Sequence, residues 1–210
     1  MIAGALTRLA KLISGARPVW TKELGTDRQR IFFANHTSHL DFIVVWSALP
    51  PGLRKKTRPV AGRDYWSRGP LRRYLSARVF NGILIERSPA SASSEAKRKA
   101  AGDGIERVAE EMGTEYSVIV FPEGTRGTGD EISPFKSGLY HLTRLKEDVE
   151  LVPVYLSNMN RILPKGEALP VPMLSRVVFG EPMELRRDET KEAFLERARS
   201  SLEQLRENHA

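Results

Sequence analysis

Residues 31–49 begin Ile-Phe-Phe-Ala, continue through Asn35-His36-Thr37-Ser38-His39-Leu40-Asp41, and end in the apolar stretch 42–49. A strand-like run that stops at Asn-His and restarts as an apolar segment after Ser-x-x-Asp predicts strand, turn and helix. On one continuous helix, five steps of about 100° would leave His36 and Asp41 roughly 140° apart, facing different ways. Across a turn they can meet. The carboxylate then reaches one imidazole nitrogen while the other faces a cleft, which is half of a Ser-His-Asp arrangement without a protein nucleophile. Two other readings stay open on these residues alone. Ser38 and Asp41 approximate a capping box, in which Asp41 only satisfies backbone donors at a helix start. His36 and His39 with Asp41 outline a metal site, although no second cluster completes it.

At 210 residues the chain is long enough for one domain with a sizeable core. Absence of cysteine removes disulfides, thiolate nucleophiles and sulfur-ligated metals. A net charge of +7 and a pI near 9.8 favour anionic partners. The basic clusters Arg54-Lys55-Lys56 and Arg72-Arg73 lack the interleaved aromatics of an RNA-binding sheet, so they read as solvated surface and nucleic acid is not an expected partner. No apolar run of about 20 residues occurs, which predicts no transmembrane helix. Ile2, Ala5, Leu6, Leu9, Leu12, Ile13 and Ala16 share one helical arc opposite Thr7, Arg8, Lys11 and Ser14. This predicts an amphipathic N-terminal helix, assigned to residues 1–20, with a membrane surface as its partner. A helix docked on its own domain would carry the same pattern. Arg8 and Lys11 argue against a cleavable signal peptide.

Further strands are expected at 57–61, 83–85, 117–121, 151–156 and 176–180, with helices at 65–77, 91–112, 138–146 and 188–208. In the long polar helix, Ala96, Ala100, Ile105, Val108, Ala109 and Met112 form the expected buried stripe; in the last helix it is Phe194, Ala198, Leu202 and Leu205. Strands alternating with helices predict a single domain over 21–210, a three-layer α/β/α fold with a mixed, largely parallel sheet.

Two strand ends carry charges in the same situation as His36: Arg87 after Ile-Leu-Ile, and Glu123 with Arg126 after Val-Ile-Val-Phe. Ligands of open α/β sheets gather at the carboxyl ends of strands. Arg87, Arg126 and Lys136 together would suit a phosphate, and Gly124 lets the backbone turn tightly beside a ligand. Each also has a plain structural reading: Arg87 paired with Glu86, Glu123 paired with Arg126, Gly124 as a turn residue.

Four ordered blocks carry a resemblance. They are Asn35-His36-x-Ser38-x-x-Asp41, Gly82-Ile83-Leu84-Ile85-Glu86-Arg87, Phe121-Pro122-Glu123-Gly124-Thr125-Arg126 and Val152-Pro153-Val154. The sequence resembles the glycerolipid acyltransferases typified by 1-acylglycerol-3-phosphate acyltransferase. The resemblance implies that His36 is a general base oriented by Asp41, and that Arg87, Glu123, Gly124, Thr125, Arg126 and Lys136 bind the glycerol phosphate. It implies a lysophospholipid acceptor and an acyl-CoA or acyl carrier protein thioester as donor, with no cofactor and no metal. The expected location is peripheral, on the cytoplasmic face of a membrane. Glu86, Gly127 and Tyr155 depart from the usual family residues near the acceptor pocket. Other acceptors are glycerol 3-phosphate, another lysophospholipid or a lyso amino-acid lipid. The residues alone also leave open a metal-dependent hydrolase and a non-catalytic lipid-binding module.

An imidazole exchanges protons near neutral pH, so it can deprotonate an alcohol as attack begins, with the carboxylate fixing its tautomer. A backbone N–H near Gly124 is the candidate oxyanion donor.

Overall fold

The computed structural model describes residues 4, 8, 15–38, 40–86, 88–89, 91–128, 131–159 and 175–209. Its centre is β2 (Arg30–Ala34), every residue of which is buried. Period-two alternation explains why: Phe32 and Ala34 enter one core while Ile31 and Phe33 enter the other. Such a strand has no solvent face and needs a layer of helix on both sides.

Around it the sheet contains β1 (Arg17–Trp20), β3 (Thr57–Gly62), β4 (Ile83–Ile85), β5 (Ser117–Val120), β6 (Glu150–Leu156) and β7 (Arg176–Phe179). Their order is β1-β7-β6-β2-β5-β3-β4. β2 pairs in parallel with both β5 and β6. β3 is parallel to β5 and β4, whereas β7 is antiparallel to β6 and parallel to β1. The expected mixed, largely parallel sheet is therefore present.

On one face, α1 (Asp41–Ala48) and α2 (Pro51–Lys55) lead to β3, and α3 (Arg63–Trp66), α4 (Pro70–Tyr74) and one π-helical turn (Leu75–Val79) lead to β4. The other face is covered by α5 (Ser94–Met112), α6 (Gly138–Leu145) and α7 (Lys191–His209). Phe42, Trp46, Trp66 and Phe80 pack with Phe32 and Ile119 in the first core. Val108, Met112, Leu139, Leu142, Phe194 and Leu202 pack with Ile31 and Phe33 in the second.

Two sequence expectations change. Residues 17–20 are strand rather than the end of an N-terminal helix, because Trp20 stacks on Phe179, with centroids 3.8 Å apart, while its backbone joins β7. Gly4 and Arg8 are helical and exposed; the other residues of 1–14 lie outside those described. Ala96 is exposed, since only the C-terminal half of α5, with Val108 and Met112, is deeply covered. The α7 stripe is buried as expected. No helix among the described residues is long and apolar enough to cross a membrane.

Phe194 is fully buried, its ring tilted at 59° against Tyr140 of α6, with centroids 5.9 Å apart. Phe194→Ala should lower the unfolding free energy by about 3–5 kcal/mol, the usual cost of emptying a large aromatic site. Urea denaturation midpoints at constant slope measure it.

Candidate active site

The chain leaves β2 for α1 on one face of the sheet and leaves β5 for α6 on the other, although the two strands are neighbours. The divergence opens a crevice at their carboxyl ends, where ligands of open α/β sheets bind. Residues 35–38 with 40–41 flank it on one side and residues 121–127 on the other.

Asp41 is the first residue of α1 and is fully buried. Its Oδ2 accepts hydrogen bonds from the backbone N–H of Thr37 at 2.6 Å and of Ser38 at 2.8 Å, and lies 2.8 Å from His36 Nδ1. An oxygen already accepting two hydrogens meets the ring as an acceptor, so Nδ1 carries the proton and Nε2 is left with a lone pair. The capping and triad readings thus describe one carboxylate doing both things. Burial pushes the Asp41 carboxyl above its ordinary range, opposed by the hydrogen bonds from His36, Ser38 and Thr37. Among the described residues its Oδ1 has no hydrogen-bond partner.

His36 is held from the other side of the crevice. Its N–H donates to Glu123 Oε1 at 2.7 Å, its carbonyl accepts from Gly127 N at 2.8 Å, and its ring stacks on Phe121 at 4.3 Å between centroids. The other Glu123 oxygen accepts from Ser133 N at 3.0 Å. Glu123 is 3 % exposed. With both oxygens taken by backbone donors, its carboxylate faces the protein rather than the crevice.

Asn35 fixes the preceding peptide. Its buried amide donates to Leu156 O at 3.0 Å and accepts from Leu156 N at 2.8 Å, so a side chain continues the β2–β6 ladder where the backbone has turned away. Asn35 and Phe121 were quoted in the sequence blocks without a role. A side-chain amide carries a donor and an acceptor on separate atoms, as a peptide group does, which was the available signal for Asn35.

Gly124 adopts φ +71°, and a Cβ there would come within 2.9 Å of Lys136 Cδ. Its N–H donates to Phe121 O at 3.0 Å, so it is not an open oxyanion donor. Thr125 is exposed and Arg126 half-buried. Among the described residues neither makes a hydrogen bond or an ion pair. The exposed Lys136 lies along Gly124, and its N–H bonds Pro122 O at 2.9 Å. The fold thus brings His36, Asp41, Gly124, Thr125, Arg126 and Lys136 to one crevice, with Glu123 beneath its surface. Arg87 and His39 lie outside the described residues. Glu86 pairs with Arg63 at 2.6 Å. No group of three or more His, Asp or Glu among the described residues is placed to hold a metal ion.

A sequence model of the acyltransferase family matches residues 19–157, which include both sides of the crevice. The chain belongs to the acyltransferase family. It is 31% identical over 156 residues to a 1-acyl-sn-glycerol-3-phosphate acyltransferase of Limnanthes douglasii, a match covering 70% of this chain and 48% of that protein. With the enzyme of the same name from Escherichia coli it shares 29% over 144 residues, 63% of this chain and 51% of the relative. The chain spans about half the length of the curated relatives it matches. In fold it is similar to the crystal structure of the 1-acyl-sn-glycerophosphate acyltransferase PlsC of Thermotoga maritima. The TM-score is 0.72 at 19% identity, covering 99% of this chain and 79% of that one. This acyltransferase fold therefore carries its histidine and carboxylate on the turn between β2 and α1.

A raised carboxyl pKa has a definite sign in stability. The folded state holds the Asp41 proton to higher pH than the unfolded chain does, so the group's contribution is most favourable below the unfolded carboxyl pKa and is lost as pH rises through the folded value. Asp41→Asn removes the titration. The variant should therefore gain stability relative to the native chain as pH rises above about 4, measured as paired denaturation curves. The opposite slope would mean that the three N–H donors outweigh burial.

Proposed function

We propose that the chain transfers an acyl group from an acyl-CoA or acyl carrier protein thioester to the hydroxyl of a lysophospholipid. The acceptor we favour is 1-acylglycerol 3-phosphate, giving phosphatidate. The observation that carries this reading is the 2.8 Å contact of His36 Nδ1 with Asp41, which assigns the base to Nε2, beside a loop whose Arg126 and Lys136 side chains make no ion pair among the described residues. The names of the relatives support the same acceptor.

Nε2 takes the acceptor's hydroxyl proton as its oxygen attacks the thioester carbonyl. The carbon–sulfur bond of the tetrahedral adduct then breaks, and the thiolate leaves with the proton held by His36. Asp41 stabilises the imidazolium between these steps, and the acyl group needs no covalent stop on the protein. Arg126, Lys136 and the N–H groups of Thr125 and Arg126 bind the acceptor phosphate, joined by Arg87. This positioning brings hydroxyl and base together. Glu123 acts through His36, whose backbone it holds. The segment ahead of β1 contacts the cytoplasmic face of a membrane, and the rest forms one catalytic domain.

Thiol release measured with lysophosphatidate and an acyl thioester tests the reaction. His36→Ala should lower turnover about a thousandfold, within the usual reach of general-base catalysis; undiminished turnover would remove the mechanism. A second measurement separates the two loop roles. Arg126→Ala should raise the acceptor KM, whereas Glu123→Gln should lower kcat about tenfold with little change in that KM. Glutamine presents an NH2 to one of the two backbone donors that Glu123 satisfies, so a kcat effect follows from the displaced imidazole. If Glu123→Gln changed only KM, the side chain would be a substrate ligand after all.

A further inference from the structure

The positive charge of this chain is not spread over its surface. Residues 51–85 hold nine Lys and Arg against Asp64 alone, a net of +8 where the whole chain is +7, so the other 175 residues sum to −1. Arg54, Lys55 and Lys56 precede β3, and Arg58 lies within it, paired with Glu111 at 2.6 Å. The remaining five arginines follow the carboxyl end of β3, the edge of the sheet at which His36 and Glu123 also lie.

Two of these five are engaged, Arg63 with Glu86 and Arg72 over the Tyr65 ring at 4.1 Å. Arg68, Arg73 and Arg78 are exposed and make no ion pair among the described residues. Between them stand Leu71, 68% exposed, and Tyr74, 45% exposed, two of the three most exposed large hydrophobic residues among those described. The segment is not loosely hung. Trp66 at its start is buried edge-on to Phe42, the residue after Asp41, with centroids 5.1 Å apart, and Phe80 at its end packs on the same two rings.

We propose that Arg68, Leu71, Arg73, Tyr74 and Arg78 form a docking surface for a bilayer with anionic headgroups, separate from the N-terminal segment. An exposed leucine suits the acyl boundary, a tyrosine the headgroup level, and unpaired guanidinium groups the lipid phosphates. Nucleic acid would be served by the arginines and not by the leucine. The choice of a lipid rests on the proposed reaction to this extent: acceptor and product both carry acyl chains, and docking at this edge turns the crevice toward the membrane that holds them.

Co-sedimentation with vesicles tests the surface without any turnover. One vesicle set is phosphatidylcholine and the other mixes phosphatidylcholine with phosphatidylglycerol. The native chain should partition to the mixed vesicles and be released by salt. The double variant Arg68→Gln/Arg73→Gln should lose about tenfold or more of that partitioning, with a flatter salt dependence. Leu71→Ser should weaken binding to both sets with the salt dependence kept. Thermal melting should be unchanged, since these side chains are exposed. Native partitioning in both variants, or no binding of the native chain to the mixed vesicles, would overturn the assignment. So would variants that lose only acidic carrier protein or nucleic acid while keeping the vesicles. Thiol release with a short-chain monomeric acceptor should stay at the native level in both variants. A chain that docks but transfers no acyl group would sink the reaction and leave the surface standing.

Discussion

One buried oxygen organises this site. Asp41 Oδ2 receives hydrogens from His36, Thr37 and Ser38 and has no solvent exposure. A carboxylate without partners would cost several kcal/mol in such a place. All three donors come from the three residues after Asn35, so a seven-residue turn builds its own receptor for the charge and fixes the imidazole in the same act. Oδ1 has no hydrogen-bond partner among the described residues, and burial prevails over the hydrogen bonds in the direction of the carboxyl pKa. A longer turn or a shifted helix start would separate the carboxylate from ring and backbone donors together.

The turn is braced by the strands on either side of it. Asn35 ties it to the end of β6, while Glu123, Gly127 and Phe121 tie it to the loop after β5. These are the two strands that flank β2 in the sheet. Geometry at the histidine is thus referred to three adjacent parallel strands, the most buried part of the fold, and local loop stiffness matters little. Because the connections from β2 and β5 depart to opposite faces, the bracing does not close the crevice.

Much of this was legible in the residues. The alternation of β2, the stripe of α7, the strand end at Ala34 and, within one residue, the strand end expected at Phe121 and found at Val120 are local patterns, and local patterns survive without tertiary information. The His36–Asp41 contact was legible too, since helical geometry excludes it and a turn allows it. β1 was hidden. Arg-Pro-Val-Trp is short and half exposed, and what makes it a strand is a partner about 160 residues away with a phenylalanine to stack on. Glu123 was hidden for another reason. In the sequence it is a charge near Arg126, which suggests a ligand or a salt bridge; that it points inward depends on the backbone of residue 36, which no spacing rule within 121–126 encodes. The basic segment after β3 was visible as charge, but its exposed Leu71 and Tyr74 were not.

The inward turn of Glu123 also settles the electrostatics of the loop. It is the only carboxylate within residues 121–128, and both of its oxygens are spent on backbone donors beneath the surface. Had it faced outward it would sit beside Arg126 and cancel it. Facing inward, it leaves the outer side of the loop with Arg126 and, against Gly124, the ammonium of Lys136. Cations that share one side of a loop attract an anion. Gly124, through its positive φ, lets the backbone double back so that Lys136 can lie against it; a Cβ at that position would push the lysine stem away. With the only carboxylate of residues 121–128 turned inward, this side of the loop favours an anionic group such as a phosphate over a neutral headgroup. One carboxylate placed under the surface thus steadies the backbone of His36 and leaves Arg126 and Lys136 without an outward carboxylate from residues 121–128 to offset them.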